Sequence, residues 1–542
     1  MSANLAALLH AQAVARPNHP ALVEPTRRPV SFAALQIAVA QGATLLHKAG
    51  LQPGDRVLVY QPISTGLYVA LGSLFQAGLT AVFIDPGMDR TQLSRAASLL
   101  APCGFLATPR AHLLRLLSPA IRRIPIHFTT GKWPLPGAWR WADYTHLPPL
   151  PSPQEAMAPC EEETPALITV TSGSTGTPKF ATRTHGFLRR QHAAIHTTLA
   201  MPADTVVATT LPIFILSFLA SGVTTLLPNV DLRRPGNVQM ASLLPQMQQA
   251  EVTALAASPA FLDQLARYCA EQEVTLPQIR QVYSGGAPVF VDLMDQLRTT
   301  TPNATIHAVY GATEVEPITT LDAATITPTD RQRMATGAGL LVGNPLPSLD
   351  VRVIVDRWGH PHGPYLPQAW AEVQLSSGVG ESQIGEIVVA GPHVLTTTGP
   401  GDDPARTKIV VGEQIWHRTG DAGRWDEEGR LWLLGRCAAR IDGQGGDQAG
   451  SDALYPFTVE TAAHTFPNIK HAALIAHQGR RILALELYTL LSPTQMVTWL
   501  AEVQAALAWA KLDGIRILPR LPVDKRHNAK VDYPALARML DK

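Results

Sequence analysis

Between Ser31 and Phe105, short apolar runs alternate with helix-length segments, and this alternation constrains the fold more than any other feature of the chain. Ser31 is placed to cap a helix that stops near Gly50. Pro53-Gly54-Asp55 turns the chain into an apolar run at 57–60. A second helix is expected from Ser64 to just before Gly78, then a buried run at 81–84 that Asp85-Pro86-Gly87 breaks. A helix near 89–100 and a short strand around Phe105 continue the series. Strands separated by helices pair in parallel, with the helices on the sheet faces. The N-terminal stretch therefore reads as a doubly wound α/β sheet.

The series resumes beyond a connector at 146–163 rich in Pro, Ser and acid. A helix is expected at 183–199, and strands at 206–210, 252–255, 281–283 and 305–309. From Val351 the texture changes. Runs at 351–355, 386–390 and 431–434 read as strands separated by turns, which suggests a β-rich subdomain. Strands at 471–475 and 482–487 with a helix at 494–508 read as a small α+β domain. A chain of 542 residues is too long for one ordinary core. The boundary is expected after Arg436, giving regions 1–436 and 437–542.

A formal net charge of +1 excludes nucleic-acid binding carried by bulk charge. Cys103, Cys160, Cys269 and Cys437 are far apart and form no CxxC, so neither a zinc site nor a disulfide framework is suggested. Residues 1–15 lack the basic start and long apolar centre of a signal peptide and read as an amphipathic helix. The most apolar stretch, 205–228, contains Pro212 and Gly222 and reads as a buried strand, a turn and a helix rather than a membrane span. A soluble, cytoplasmic protein without a transmembrane segment or a nucleic-acid partner is expected.

The stretch TSGSTGTPK at 171–179 follows the β-type run 166–170. Gly173 and Gly176 let the backbone turn back and present its N–H groups. Thr171, Ser172, Ser174, Thr175 and Thr177 are hydroxyl-bearing, and Lys179 adds a positive charge after Pro178. Such a loop suits phosphate oxygens; by composition alone it suits a polar surface turn equally well. It is not the P-loop pattern. Further segments stand downstream: Ser284-Gly285-Gly286-Ala287-Pro288, Tyr310-Gly311-Ala312-Thr313-Glu314, Thr419-Gly420-Asp421, Gly435-Arg436, and Lys530 at the end of PVDKRHNAK. Each alone is also an ordinary turn or a solvated lysine. Their joint presence in this order is not expected by chance.

With GEIVVAGP at 385–392 and HRTGD at 417–421, this ordered set resembles the acyl-adenylate-forming superfamily of acyl-CoA synthetases, peptide-synthetase adenylation domains and firefly-type luciferases. The resemblance covers nearly the whole chain. It implies an α/β fold: a large N-terminal region of two doubly wound sheets plus a β-rich subdomain, and a small α+β C-terminal domain that closes over the active site. It implies ATP and Mg²⁺. The loop containing Thr171, Ser172, Gly173, Ser174, Thr175, Gly176 and Lys179 would hold the β- and γ-phosphates. Gly286, Ala287, Pro288 and Tyr310 would sandwich adenine. Thr313 would contact the α-phosphate and the carboxylate, and Glu314 would hold Mg²⁺. Asp421 would accept from the ribose hydroxyls with Arg436 assisting. Lys530 would bridge the attacking carboxylate and the α-phosphate, where negative charge grows.

Most such enzymes then pass the acyl group to a thiol, rotating the small domain about an acid or lysine in a pattern like GRxDDxIKxxG. Here the residues are Gly435-Arg436-Cys437-Ala438-Ala439-Arg440-Ile441-Asp442-Gly443, so the hinge acid is Ala438 and the acid after it Ala439. Phe180 replaces the glycine of the usual Pro-Lys-Gly step. The segments FIDPGMD (83–89), SGGAPV (284–289) and PVDKRHNAK (522–530) resemble the β-lactone synthetases of long-chain olefin biosynthesis. That resemblance implies a 2-alkyl-3-hydroxy fatty acid substrate whose own 3-hydroxyl closes onto the adenylated carbonyl, with thiolase-like, reductase and β-lactone decarboxylase partners in the pathway. An internal nucleophile needs no thiol channel. A long-chain acyl-CoA or acyl-carrier ligase and a non-catalytic acyl-nucleotide-binding partner are the alternatives. The acyl pocket is expected to draw on 211–218 and 258–261. His185 and His527 are candidate bases for ring closure by placement.

Overall fold

The expected helix starts are realised as hydrogen bonds. The computed structural model describes residues 2–84, 88, 90–131, 133–148, 157–172, 178–231, 235–375, 384–397, 403–442, 453–524 and 530–541. In it the Ser31 hydroxyl accepts from the Ala34 N–H at 3.2 Å and opens the helix Phe32–Lys48. Ser64 does the same for Leu67 at 3.4 Å and opens Thr65–Gln76. Gly50 follows the first helix at φ +97°, a left-handed conformation that glycine adopts without strain. Asp85-Pro86-Gly87 lies outside the described residues.

Two compact units divide the chain. One comprises residues 1–233, 239–256 and 397–403; the other comprises 234–238, 257–396 and 404–542. In the first unit, a seven-stranded sheet runs in the order Trp139–Arg140, Ile126–Thr129, Gly104–Ala107, Arg56–Tyr60, Thr80–Ile84, Pro165–Ser172, Pro178–Thr184. All neighbours are parallel except the last pair. Leu58, Val82, Phe105 and Ile168 from its strands form one core with Leu93 and Leu100 of the helix Arg90–Leu100. The parallel sheet with helical connections follows the alternation in the sequence.

The last strand departs from expectation. A helix is expected from 183, but Pro178–Thr184 pairs back onto Pro165–Ser172, and the helix runs only from His185 to Leu199. Phe180, Thr182 and Thr184 are aromatic or β-branched and suit an extended backbone. Thr184 then caps the helix, accepting from the Phe187 N–H at 3.1 Å.

The same unit holds a second set of parallel strands, Val206–Thr209 between Thr224–Leu226 and Ala254–Ala257, with Pro20–Val23 beside Thr224–Leu226. The apolar stretch 205–228 is thus a strand, the helix Pro212–Ser221 and a further strand. Ten helical residues rise only about 15 Å, half of a bilayer's hydrocarbon core. Among the described residues, no helix is long and apolar enough to cross a membrane.

In the second unit, Gln281–Gly285 and Thr305–Ala312 are parallel, and the pairing then turns antiparallel through Val315–Asp322, Leu340–Pro345, Leu431–Arg436, Gln414–Trp425, Gly385–Ala390 and Asp350–Ile354. Trp370 and Trp416, 5.2 Å apart between ring centroids, anchor a core with Val388 and Ile409. From Ile441 onward the chain builds a separate core of Ile441, Val459, Leu474, Leu483, Leu485 and Val503. It surrounds a sheet of Ile469–His477, Arg480–Leu487 and Gly514–Ile517. This part packs on the preceding residues: Phe290 stacks on His464 at 3.9 Å, and Tyr455 Oη donates to Asp356 at 2.7 Å.

Candidate active site

In the second unit, sheet pairing puts Asp421 directly opposite Arg436 on adjacent strands. Arg436 Nη1 donates to Asp421 Oδ1 at 2.8 Å, and Tyr310 Oη donates to Oδ2 at 2.8 Å. One carboxylate thus collects a guanidinium and a phenol. It retains half of its accepting capacity, since a carboxylate offers about four lone-pair sites. Burial and the Asp421 carboxylate hold the Tyr310 phenol well above its ordinary pKa, so it stays a donor. Arg436 also donates to the Thr419 carbonyl at 3.2 Å, and the Asp421 N–H donates to Thr419 Oγ1 at 3.0 Å.

Gly420 has no room for a side chain. Its φ is +69°, and a Cβ there would stand 2.7 Å from the Trp358 ring. The glycine of Thr-Gly-Asp is therefore required by both backbone and packing.

Gly286-Ala287-Pro288 leaves the strand Gln281–Gly285 just beyond Gly285, which pairs with Val309; Tyr310 is the next residue on that neighbouring parallel strand. Both features therefore sit at the carboxyl ends of adjacent parallel strands, the usual place for ligands in such sheets. Gly286 takes φ +83°.

Thr313 and Glu314 form the two-residue turn between Thr305–Ala312 and Val315–Asp322, since Ala312 pairs with Val315. The Glu314 carboxylate is 39% exposed and lies 3.8 Å from His417 Nε2. Burial, then the nearby Lys408 cation, push His417 down to about 4, so it is neutral at physiological pH. Lys408 donates to the Leu395 carbonyl and lies 3.3 Å from His417 Nδ1; the Leu395 N–H in turn donates to the Glu314 carbonyl at 2.7 Å. Lys408, His417 and Leu395 thus hold the turn from behind.

Glu386 and Arg418 were not singled out by sequence reasoning, although both sit inside the quoted segments GEIVVAGP and HRTGD. They form a fully buried ion pair with Nη2–Oε2 2.6 Å, and Arg418 Nη1 donates to the His360 carbonyl at 2.7 Å. The signal available was an acid in one strand-like run and a base in the other.

In the first unit, Thr171 and Ser172 end one strand and pair with Lys179 and Pro178 on the next, so the glycine-rich stretch is a hairpin connection. Gly173, Ser174, Thr175, Gly176 and Thr177 lie outside the described residues. His185 is fully buried; its Nδ1 accepts from the Leu5 N–H at 3.0 Å, and burial lowers it to about 4. It tethers the N-terminal segment, which corrects its candidacy as a base. His527 lies outside the described residues.

Lys530 is exposed and closes a loop. Its N–H donates to Asp524 Oδ1 at 2.9 Å, its carbonyl accepts from the Asp524 N–H at 2.8 Å, and Val523 bridges Val531 beside it. Cys437–Ala439, where the hinge acids are missing, is a single 3-10 turn.

No group of three or more His, Cys, Asp or Glu that could cage a metal occurs among the described residues. A half-exposed carboxylate on a two-residue turn nevertheless suits Mg²⁺. That ion keeps several waters and is commonly held by one or two carboxylates together with substrate phosphates.

Residues 9–397 match the family of AMP-binding enzymes. The chain is 31% identical over 528 residues to an olefin β-lactone synthetase of Xanthomonas campestris pv. campestris, covering 92% of this chain and 88% of the relative. It is likewise 31% identical over 508 residues to an olefin β-lactone synthetase of Stenotrophomonas maltophilia, covering 90% and 87%. Among solved structures, its fold is similar to ATP-bound MatB from Rhodopseudomonas palustris, with TM-score 0.78 and 20% identity over 100% of this chain and 99% of that one. It is also similar to the anthranilate CoA ligase AuaEII in complex with anthranoyl-AMP, with TM-score 0.82 and 16% identity over 99% and 98%. The carboxylate, phenol and guanidinium around Asp421 thus stand in an acyl-adenylate-forming fold, and the chain belongs to the AMP-binding enzyme family as a ligase-type adenylating enzyme.

Proposed function

We propose that the enzyme activates a 2-alkyl-3-hydroxy fatty acid with ATP and closes it to a β-lactone. The observation that carries this reading is the 31% identity, over nine-tenths of the chain, to two olefin β-lactone synthetases. The replacement of both hinge acids by Ala438 and Ala439 supports it, because an internal nucleophile does not need a second domain pose to admit a thiol. The same reading divides the chain after Arg436 into 1–436 and 437–542, which the end of the strand Leu431–Arg436 and the core from Ile441 onward support.

In this reading the substrate carboxylate oxygen attacks the α-phosphorus of ATP and pyrophosphate leaves. The remaining lone pairs of the Asp421 carboxylate accept from the ribose hydroxyls, and Arg436 fixes that carboxylate. Gly286, Ala287, Pro288 and Tyr310 flank adenine. Thr171, Ser172, Gly173, Ser174, Thr175, Gly176 and Lys179 receive the β- and γ-phosphates, and Thr313 contacts the α-phosphate and the carboxylate. Lys530 places a cation where negative charge builds between carboxylate and α-phosphate. Glu314 is the residue that would hold Mg²⁺; when bound, the ion neutralises phosphate charge. The substrate's 3-hydroxyl oxygen then bonds to the acyl carbon, the bond from that carbon to AMP breaks, and AMP and a proton are released. Proximity within one molecule supplies much of the rate of this closure. The reading also implies a thiolase-like enzyme and a reductase upstream, and a β-lactone decarboxylase downstream.

A product assay tests it. Purified enzyme receives ATP, Mg²⁺ and a synthetic 2-alkyl-3-hydroxy acid, with and without CoA. A lactone with AMP and pyrophosphate formed without thiol is the expected result. Acyl-CoA formed only when CoA is present would overturn the lactone step and leave the adenylation.

A further inference from the structure

Residues 90–142 contain eight Lys or Arg and no Asp or Glu, while the whole chain balances 44 basic against 43 acidic residues. The same segment carries the most exposed large apolar side chains of its unit. Trp133 is 82% exposed and Leu116 75%, and Leu113, Leu117 and Trp139 are also exposed. Tryptophan and leucine left this open to water have no role in the fold beneath them, because the inner layer is already closed by Phe105, Ala111, Ile121 and Ile124.

These side chains share one surface. The short helix Leu114–Leu117 adjoins the segment 133–138, and Gly131 adjoins Pro109 just before that helix. Arg115 Nη1 donates to the Pro136 carbonyl at 3.3 Å. A Cβ on Gly131 would stand 2.3 Å from the Pro109 ring. Arg110, Arg122 and Arg123 are exposed around them, and none has a carboxylate partner among the described residues. The strand Trp139–Arg140 is one edge of the seven-stranded sheet, whereas the antiparallel pair Pro165–Ser172 and Pro178–Thr184 lies at the other. Five strand spacings separate them, roughly 25 Å.

We propose that this face docks on the surface of an anionic lipid bilayer. Indole rings favour the headgroup level of a bilayer, leucines enter the acyl boundary, and arginines are attracted by anionic headgroups. The charge pattern selects this occupant. A nucleic acid would match the arginines and leave Leu116, Leu117 and Trp133 in water. The patch lies at the opposite edge of the sheet from the strands Pro165–Ser172 and Pro178–Thr184. The inference does not depend on the lactone reading, since it is read without substrate.

The test is flotation of the full-length protein with vesicles of phosphatidylcholine alone or mixed with phosphatidylglycerol. The protein is expected to float with the mixed vesicles only, to be released by high salt, and to shift its tryptophan emission to the blue. A Leu116→Asp/Trp133→Asp variant and an Arg122→Glu/Arg123→Glu variant are each expected to lower partitioning by at least about tenfold. Both should retain wild-type thermal unfolding and ATP–pyrophosphate exchange with a water-soluble acid, because the altered side chains are exposed and outside the proposed catalytic set. Absence of flotation, flotation of either variant equal to that of the wild type, or tighter binding to duplex DNA than to the mixed vesicles would overturn the proposal.

Discussion

Asp421 shows how single residues divide the labour at this site. Its own carboxylate faces Tyr310 and Arg436, but the strand that carries it is fixed three residues earlier by the Arg418–Glu386 pair. Breaking a buried pair by removing one partner leaves an uncompensated charge and costs about 3–5 kcal/mol. Glu386→Ala is therefore expected to lower the unfolding free energy by roughly that amount in denaturant titration; a loss within experimental error of zero would show that Arg418 finds other acceptors. Lys530 makes the opposite prediction. It is exposed and bonds Asp524 through its backbone, which alanine keeps, so Lys530→Ala should leave stability nearly unchanged. If it stabilises the developing charge, adenylation measured as pyrophosphate release should fall by roughly 10²–10³-fold, and unchanged turnover would remove it from the mechanism.

At the scale of elements, the sequence was informative where local signals agree. Ser31, Ser64 and the apolar runs between them specify caps, helices and parallel strands by local chemistry alone, and those elements form as expected. The strand Gln414–Trp425 was not legible because the neutral His417 and the charges at Arg418 and Asp421 interrupt its apolar pattern. Those charges are satisfied by partners distant in sequence, such as Glu386 and Arg436, that no local pattern announces. His185 misled for the same reason, since its partner is the backbone of Leu5. Glu460 in the helix Pro456–Ala463 is a further case. It is buried and accepts from Tyr533 Oη at 2.7 Å and the Leu474 N–H at 2.9 Å. Burial raises its pKa to about 7 despite those donors. A carboxyl raised above its unfolded value contributes stability below about pH 4.5 that is lost as pH rises to about 7. Glu460→Gln keeps the accepting oxygen and removes the charge. It should stabilise the protein by about 1–2 kcal/mol at pH 8 and by little at pH 4.5, as read from denaturation midpoints at the two pH values.

Across the whole molecule, buried histidines set the response to acid. His127 and His185 in one unit and His362 and His417 in the other are each pushed down to about 4, with burial as the largest cause. Between pH 4 and their unfolded value near 6.5, the unfolded chain binds more protons than the folded one. Their contribution is fully present above pH 6.5 and is lost as pH falls toward 4, at about 2 kcal/mol for each histidine by pH 5. The carboxylates of Asp330 and Glu486, held near 2 by Arg430 and by His471 with Lys470, lose their contribution only at lower pH, below about 4. Glu460 works in the opposite direction but is one group against those four and His192, which burial also pushes down to about 4. Unfolding free energy should therefore decline steeply from pH 6.5 to 5, before carboxylate protonation matters. His127 identifies the cause, because it packs against Phe105 and His112 and its Nε2 has no hydrogen-bond partner among the described residues; His127→Leu removes that proton acceptor together with one bond to the Ile121 backbone. That variant should show a shallower decline over the same interval. A slope that stays unchanged would mean that His127 is already charged in the folded state, and that the acid response comes from elsewhere.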